Sequence, residues 1–133
     1  MNQLSNVETF SADRDAIGSQ ASGRLFASRD RATGRCVFPP VPARSPSAHR
    51  YEPVTLSRIA RLYTFSVIHP NPKTGEQPFV VIYADFPEGA RVFGRLLLSR
   101  ERHPLVGMEV EARIAERGTA ATYSFVPVEE ARS

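Results

Sequence analysis

The chain has 133 residues, of which 41% are hydrophobic and 23% are charged, and its formal net charge is +3. This composition is typical of one globular domain, or of a domain with a short appendage, and not of a disordered chain. No apolar run reaches the roughly 18 residues that a membrane-spanning helix needs. Residues 1–10 lack the basic and apolar segments of a secretory signal, so we expect a cytoplasmic protein with no membrane contact.

Cysteine and histidine are too scarce for most metal and redox sites. The single cysteine, Cys36, excludes an intramolecular disulfide and a cysteine-rich zinc site, and we expect its thiol to be structural or on the surface rather than catalytic. Lys73 is the only lysine among the 17 basic residues, so the basic groups are almost all arginine. Arginine suits phosphate and carboxylate ligands. The predominance of arginine fits either an anionic binding partner or an arginine-rich surface that is only solvated by water.

The first two segments of the chain carry weak local signals. Residues 1–28 are predicted to form a weakly helical N-terminal arm, because Ser5 or Asn6 can cap a short helix there. Residues 29–57 contain five prolines, which favour an extended segment with few ladder hydrogen bonds. Within that segment, Thr33-Gly34 predicts the turn of a small hairpin.

Residues 58–133 are predicted to form a β domain. Apolar, β-branched and alternating segments predict five strands, over 59–68, 79–86, 90–98, 108–115 and 119–128. Gly94, inside the third strand, predicts a bulge or sharp bend. A charged, proline-containing break separates the third strand from the fourth, which suits a Greek-key barrel of the OB type. An SH3-like barrel or an open sheet also fits five strands.

Several short motifs resemble one known family. Seven residues fit its opening frame without a gap: Gly23, Arg24, Leu25, Gly34, Phe38, Pro39 and Pro40. Segments 62–69, 77–81 and 106–110 are similar to its first, second and fourth barrel strands. The family consists of acyl-CoA-associated proteins with a rubredoxin-like zinc ribbon followed by an OB-fold domain. The resemblance covers about residues 23–128 and implies a mainly β chain, with a five-stranded OB barrel after the arm and a ribbon-like segment over 29–57.

The ribbon departs from the family at its metal ligands. The four cysteine positions fall on Asp30, Thr33, Ser45 and Ala48. Only the aspartate is a good ligand, and the alanine has no donor atom, whereas a structural zinc site needs four donors. We therefore expect a degenerate ribbon that folds without zinc or any other metal.

The resemblance also implies a function. Family members are small subunits that accompany thiolase-like enzymes or hotdog-fold enoyl-CoA hydratases and help to hold acyl-CoA. The implied chemistry is carbon–carbon bond formation or cleavage, an acyltransferase-type reaction whose nucleophile lies on the larger subunit. We therefore expect a hetero-oligomer with a coenzyme A thioester as its ligand, no covalently bound cofactor, and no turnover by this chain alone.

The sequence contains no nucleophile, base and acid set that defines a catalytic site. The candidate contacts to coenzyme A or to the partner are His69, Lys73, Arg91 and Arg95, which we place at the barrel rim. The predicted strands also carry six aromatic residues, at least half of them expected in the core: Tyr63, Phe65, Tyr83, Phe93, Tyr123 and Phe125. Such rings beside arginine could bind single-stranded nucleic acid instead, although the small net charge makes that reading less favoured.

Overall fold

The computed structural model describes residues 16–99, 101–118 and 120–131. The helix start predicted at Ser5 or Asn6 lies outside the described residues. The described chain forms two sheets, a small N-terminal sheet and a closed barrel. No helix in the described part is long and apolar enough to cross a membrane.

The N-terminal sheet is organised around one central strand. Its four strands are β1 (Gly18–Ser19), β2 (Arg24–Asp30), β3 (Cys36–Val37) and β4 (Tyr51–Thr55). Strand β2 pairs antiparallel with each of the other three. A single 3₁₀ turn, Ala48–Arg50, leads into β4. The sheet therefore includes residues from both of the predicted segments, 1–28 and 29–57.

Residues 24–28, the end of the irregular or weakly helical arm predicted over 1–28, belong to β2 instead. Leu25 and Ala27 are 0% and 1% exposed, and they alternate with more exposed neighbours. This alternating burial, together with pairing to β4, is typical of a strand. The hairpin turn predicted at Thr33-Gly34 is confirmed. Gly34 has a φ of 78°, and its N–H donates to the carbonyl of Asp30 at 2.7 Å.

The barrel has the strand order of an OB fold. Its strands are β5 (Ile59–Ile68), β6 (Phe79–Asp85), β7 (Arg91–Leu96), β8 (Glu109–Arg117) and β9 (Ala120–Pro127). They close in the order β5-β6-β7-β9-β8, and only the β7–β9 pair is parallel. A helical turn, α1 (Val128–Ala131), follows. The predicted OB barrel is confirmed, and each predicted strand agrees with the structure to within two residues.

Gly94 does not form the bulge that the sequence predicts. The β6–β7 register continues unshifted through the pair Ile82 and Gly94. A Cβ at Gly94 would lie 2.7 Å from the Phe125 ring, so glycine is needed there to let this fully buried ring pack. The register shift lies instead in β5, between Leu62 and Thr64.

The two sheets share one hydrophobic core. Leu25, Ala27, Cys36 and Leu56 belong to the same buried cluster as the barrel interior. The Phe38 ring meets the Tyr123 ring edge-on, with centroids 5.4 Å apart.

A carboxylate in the β6–β7 turn also joins the sheets. Glu88 accepts hydrogen bonds from the Ser57 N–H at 3.0 Å and from the Ser57 hydroxyl at 2.7 Å, while its carbonyl accepts one from Arg29. Burial raises the pKa of Glu88, but the bonds from Ser57 outweigh burial and leave this pKa below its usual value of 4.5. The ionised carboxylate is therefore the form that the fold stabilises.

We predict that Glu88→Gln lowers the free energy of unfolding by about 1 kcal/mol at neutral pH, because charge-assisted bonds from Ser57 are lost. The pKa of Glu88 is lowered on folding, so its contribution is present above the pKa of the unfolded chain and is lost as the pH falls through the lowered value. Urea unfolding at a series of pH values measures the difference, which should shrink toward acid. Glu109→Gln, at an exposed carboxylate of β8, is the control. If Glu88→Gln lowered the free energy of unfolding equally at every pH, the stabilising role of the ionised Glu88 carboxylate would be contradicted.

Candidate functional site

The four predicted contact residues do not form a single rim site. His69 and Lys73 are exposed in the loop after β5, where the Asn71 side chain accepts a hydrogen bond from the Lys73 N–H. Arg91 lies at the opposite end of the barrel, beside Asp85. Arg95 is four residues further along β7, or about 13 Å at about 3.3 Å per residue. Arg91 is the first residue of β7, at one end of the barrel, and Arg95 lies on the outer face of the same strand, so the four residues do not share one rim.

The outer side of β5–β7 carries a set of exposed rings and arginines. We call it the aromatic face, and it consists of Tyr63, Phe79, Tyr83, Phe93, Arg91 and Arg95. Tyr83 and Phe93 face each other across the β6–β7 pair, with ring centroids 5.2 Å apart. They are 43% and 50% exposed. Large rings at this exposure are typical of a surface that another molecule covers.

The two arginines of the aromatic face differ in how their charge is used. Arg91 lies 3.5 Å above the Tyr63 ring and makes two hydrogen bonds to the Asp85 carboxylate, at 2.6 Å and 3.0 Å. The bonds to Asp85 raise the pKa of Arg91. Arg95 lies 3.7 Å above the Phe79 ring, and no described carboxylate lies within ion-pair distance of it. Arg95 is therefore the stronger cation toward an incoming ligand.

The expectation that at least half of the six strand aromatics fill the core is wrong. Phe125 is fully buried and Tyr123 is half-buried, but the other four are 37–50% exposed. In β6, the inward positions are taken by Ile82 and Ala84, so Tyr83 must point outward. Because β6 is apolar at nearly every position, the sequence does not show which of its residues point inward.

The degenerate ribbon positions stabilise two turns by hydrogen bonds. The Asp30 carboxylate accepts from the N–H groups of Ala32 at 2.8 Å and Thr33 at 3.3 Å, and these bonds lower the pKa of Asp30. In the second turn, the hydroxyls of Ser45 and Ser47 lie 3.0 Å apart.

The two turns are joined through their backbones. The Arg31 N–H donates to the carbonyl of Arg50 at 2.9 Å. Ala48 offers no donor atom and instead lines a cavity of about 360 Å³ between β2, β4 and residues 40–43. Across residues 16–99, 101–118 and 120–131, no group of three or more His, Cys, Asp or Glu side chains could hold a metal ion. The residues present at the ribbon therefore do not fit a zinc ion.

Cys36 is a structural residue. It is 7% exposed, and burial raises the pKa of its thiol, so it is a poor nucleophile at neutral pH. Cys36 lines a groove of about 580 Å³ between the β2–β3 hairpin and the β6–β7 turn. We call this the hairpin groove, and Arg35 and Arg91 lie on its walls. It is the one place where a sequence-predicted contact, Arg91, borders a described concavity with a second arginine.

We predict that the purified protein contains no stoichiometric zinc and that a chelator leaves its Tm unchanged. The reason is that hydrogen bonds accepted by the Asp30 carboxylate and by the Ser45 hydroxyl already close the turns that a metal would otherwise hold. Elemental analysis and thermal unfolding with and without EDTA measure these quantities. One zinc per chain, or a Tm that falls on chelation, would contradict this reading of the ribbon.

Comparisons with known proteins identify relatives of the barrel and of the whole fold. Residues 53–115 match the family described as "ChsH2, C-terminal OB-fold domain". A DUF35 domain-containing scaffold protein of Methanocaldococcus jannaschii is 35% identical over 88 residues, which is 59% of this chain and 62% of the relative. The chain thus matches somewhat less than two thirds of the length of that curated relative.

Two solved structures share the fold. The first, described as an Ltp2-ChsH2(DUF35) aldolase, has a TM-score of 0.62 at 23% identity, covering 84% of this chain and 90% of the other. The second is a DUF35-family protein of unknown function from Sulfolobus solfataricus, with a TM-score of 0.56 at 14% identity, covering 96% and 98%. At these identities the structures establish the fold alone.

Proposed function

We propose that this chain is an OB-fold protein of the DUF35 kind and a small accessory subunit that assembles with a larger, thiolase-like enzyme of acyl-CoA metabolism. The descriptions of its relatives, a scaffold protein and a component of an aldolase, support a subunit of this kind. A hydratase-like enzyme is the alternative partner. In either complex the reacting nucleophile or base lies on the larger subunit.

The observation that carries this proposal is the uncovered aromatic face. Tyr83 and Phe93 together present rings that water solvates poorly, and Arg95 adds a cation beside them. Aromatic and arginine side chains are the residues that dominate binding energy at protein interfaces. The partner surface that fits is apolar with an acidic group near Arg95.

The hairpin groove is the proposed contact for the coenzyme. Arg35 and Arg91 line the groove and offer guanidinium groups to phosphate oxygens, although Arg91 shares its charge with the Asp85 carboxylate, which also lines the groove. Phe38 and Phe86 supply apolar wall. The buried thiol of Cys36 lies behind this wall and takes no part in the chemistry. The chain thus binds and orients one end of acyl-CoA, while the thioester reacts on the partner.

A nucleic-acid-binding module is the second candidate. Strands β6 and β7 are the second and third of the barrel, and in OB folds the face of those strands binds oligonucleotides. The exposed rings of Tyr83 and Phe93 lie on that face. Against it, Asp85 partly neutralises Arg91, and the chain has only +3 net charge. Fluorescence titration with single-stranded oligonucleotides at two salt concentrations tests it, because phosphate binding weakens steeply with salt.

We predict that the tagged protein, expressed in its native host, co-purifies with a protein that mass spectrometry identifies as thiolase-like, and that Phe93→Lys weakens this association at least about thirtyfold. A buried lysine in place of a central ring removes an anchor of about 2 kcal/mol. Leu105→Lys, at a residue 66% exposed and outside the aromatic face, is the matched control. Co-purification of a hydratase-like protein would favour the alternative partner. If Phe93→Lys and Leu105→Lys weakened the association equally, the aromatic face would not be the surface that binds the enzyme.

We predict that Arg35→Ala and Arg91→Ala each weaken acyl-CoA binding by the complex about tenfold, because each removes a charge-assisted contact to phosphate. Arg117→Ala, at an exposed arginine of β8 outside both the groove and the aromatic face, is the matched control. Isothermal titration with acetyl-CoA measures the affinity. A larger loss for Arg95→Ala than for Arg35→Ala would move the coenzyme to the aromatic face.

A further inference from the structure

The distal half of strand β5 is exposed on both of its faces. All six residues from 63 to 68 are exposed, although the segment reads Tyr-Thr-Phe-Ser-Val-Ile. Phe65 and Val67 lie opposite Ile82 and Val80 on the inner side of the β5–β6 pair, yet they are 37% and 46% exposed. A strand of this composition in a small protein is normally covered on at least one face.

The same half-strand also has an unpaired edge. Strand β8 pairs with β5 only from Ile59 to Arg61. Leu62 then exchanges backbone hydrogen bonds with Met108 and Gly107. Beyond Leu62, no strand among the described residues pairs with the side of β5 that faces away from β6. Alternate N–H and C=O groups of residues 64–68 therefore point to an open side about 17 Å long, at about 3.3 Å per residue.

None of the usual protections against strand addition is present at this edge. Residues 62–68 contain no charged side chain and no proline. Soluble proteins normally block an exposed edge with lysine, proline or a bulge. The one bulge of β5, between Leu62 and Thr64, precedes the open part and leaves residues 64–68 regular.

We propose that the open edge of β5 pairs antiparallel with the same edge of a second copy of this chain, forming a twofold dimer. The inference concerns the chain by itself and does not depend on the proposed enzyme partner. Charge supports a second copy as the occupant, because uncharged segments 62–68 meet without any like-charge contact. A twofold contact also uses the same edge of both copies, so the dimer buries both edges and leaves no open edge to which further copies could add as a fibre.

The geometry restricts the register of such a dimer. In an antiparallel pair related by a twofold axis perpendicular to the sheet, residues that lie opposite each other have side chains on the same face. Because side chains alternate between the two faces along a strand, such opposite residues are both odd-numbered or both even-numbered. An axis at Ser66 places Phe65 opposite Val67 of the second copy, twice over, and Thr64 opposite Ile68. These aromatic and β-branched pairs are the kind that stabilise antiparallel sheets. A contact of this size is smaller than a standard interface, so we expect a dimer that dissociates at micromolar concentrations.

The test measures the mass of the full chain alone over a concentration series, by sedimentation equilibrium. We expect a monomer–dimer equilibrium, and Ser66→Lys should weaken the dimer at least about tenfold because it places two lysines at the axis. Ser66 is exposed, so the variant should keep the Tm of the native chain. Thr122→Lys, at an exposed position of β9, is the matched control.

Cross-linking tests the position of the axis directly. Ser66→Cys should form a disulfide-linked dimer under mild oxidation, whereas Thr122→Cys should not, and the buried native thiol of Cys36 should remain unreacted. A chain that stays monomeric throughout the series overturns the proposal. So does a dimer that survives Ser66→Lys, because it would use another surface. A native chain that is monomeric alone but still co-purifies with the enzyme partner overturns the dimer and not the proposed function, so the two hypotheses fail separately.

Discussion

The structure depends on one shared hydrophobic core between the N-terminal sheet and the barrel. Leu25 of β2 and Leu56 after β4 are fully buried in the same cluster as the barrel interior. A four-stranded sheet of 38 residues, from 18 to 55, is too small to bury an adequate core of its own and has no metal ligand set. The barrel supplies the missing apolar surface, and the Ser57–Glu88 hydrogen bonds fix the orientation between the two sheets.

With the core shared in this way, the candidate binding surfaces lie on the outside of the molecule. The interior of the barrel is filled, since the Phe125 ring packs against the Cα of Gly94 and leaves no space for a Cβ. Concavities lie where the N-terminal sheet meets its own loop or the barrel, as in the hairpin groove. The apolar side chains that remain exposed are concentrated on β5, β6 and β7.

The sequence predicted the barrel well because its signals are local. The strands over 59–68 and 79–86 are continuous apolar runs bounded by proline and glycine, and the break after residue 98 sets the Greek-key order. Strand β2 was not predicted from the sequence because its partner, β4, is some 25 residues away and no local pattern indicates the pairing. The aromatic face was missed for a different reason. In segments that are apolar at nearly every position, period-2 alternation does not reveal which residues point inward.

The irregularity in β5 separates the strand into two halves of opposite phase. Before it, Ala60 and Leu62 point into the core; after it, Phe65 and Val67 lie on the inner side. If β5 continued in regular alternation through all of these residues, with no bulge, its distal half would be rotated by half a turn about its axis. Thr64 and Ser66 would then point inward, and Phe65 and Val67 would join the outer rings. One extra residue thus keeps two apolar surfaces on opposite sides of the same hairpin, where each can be recognised by a different molecule.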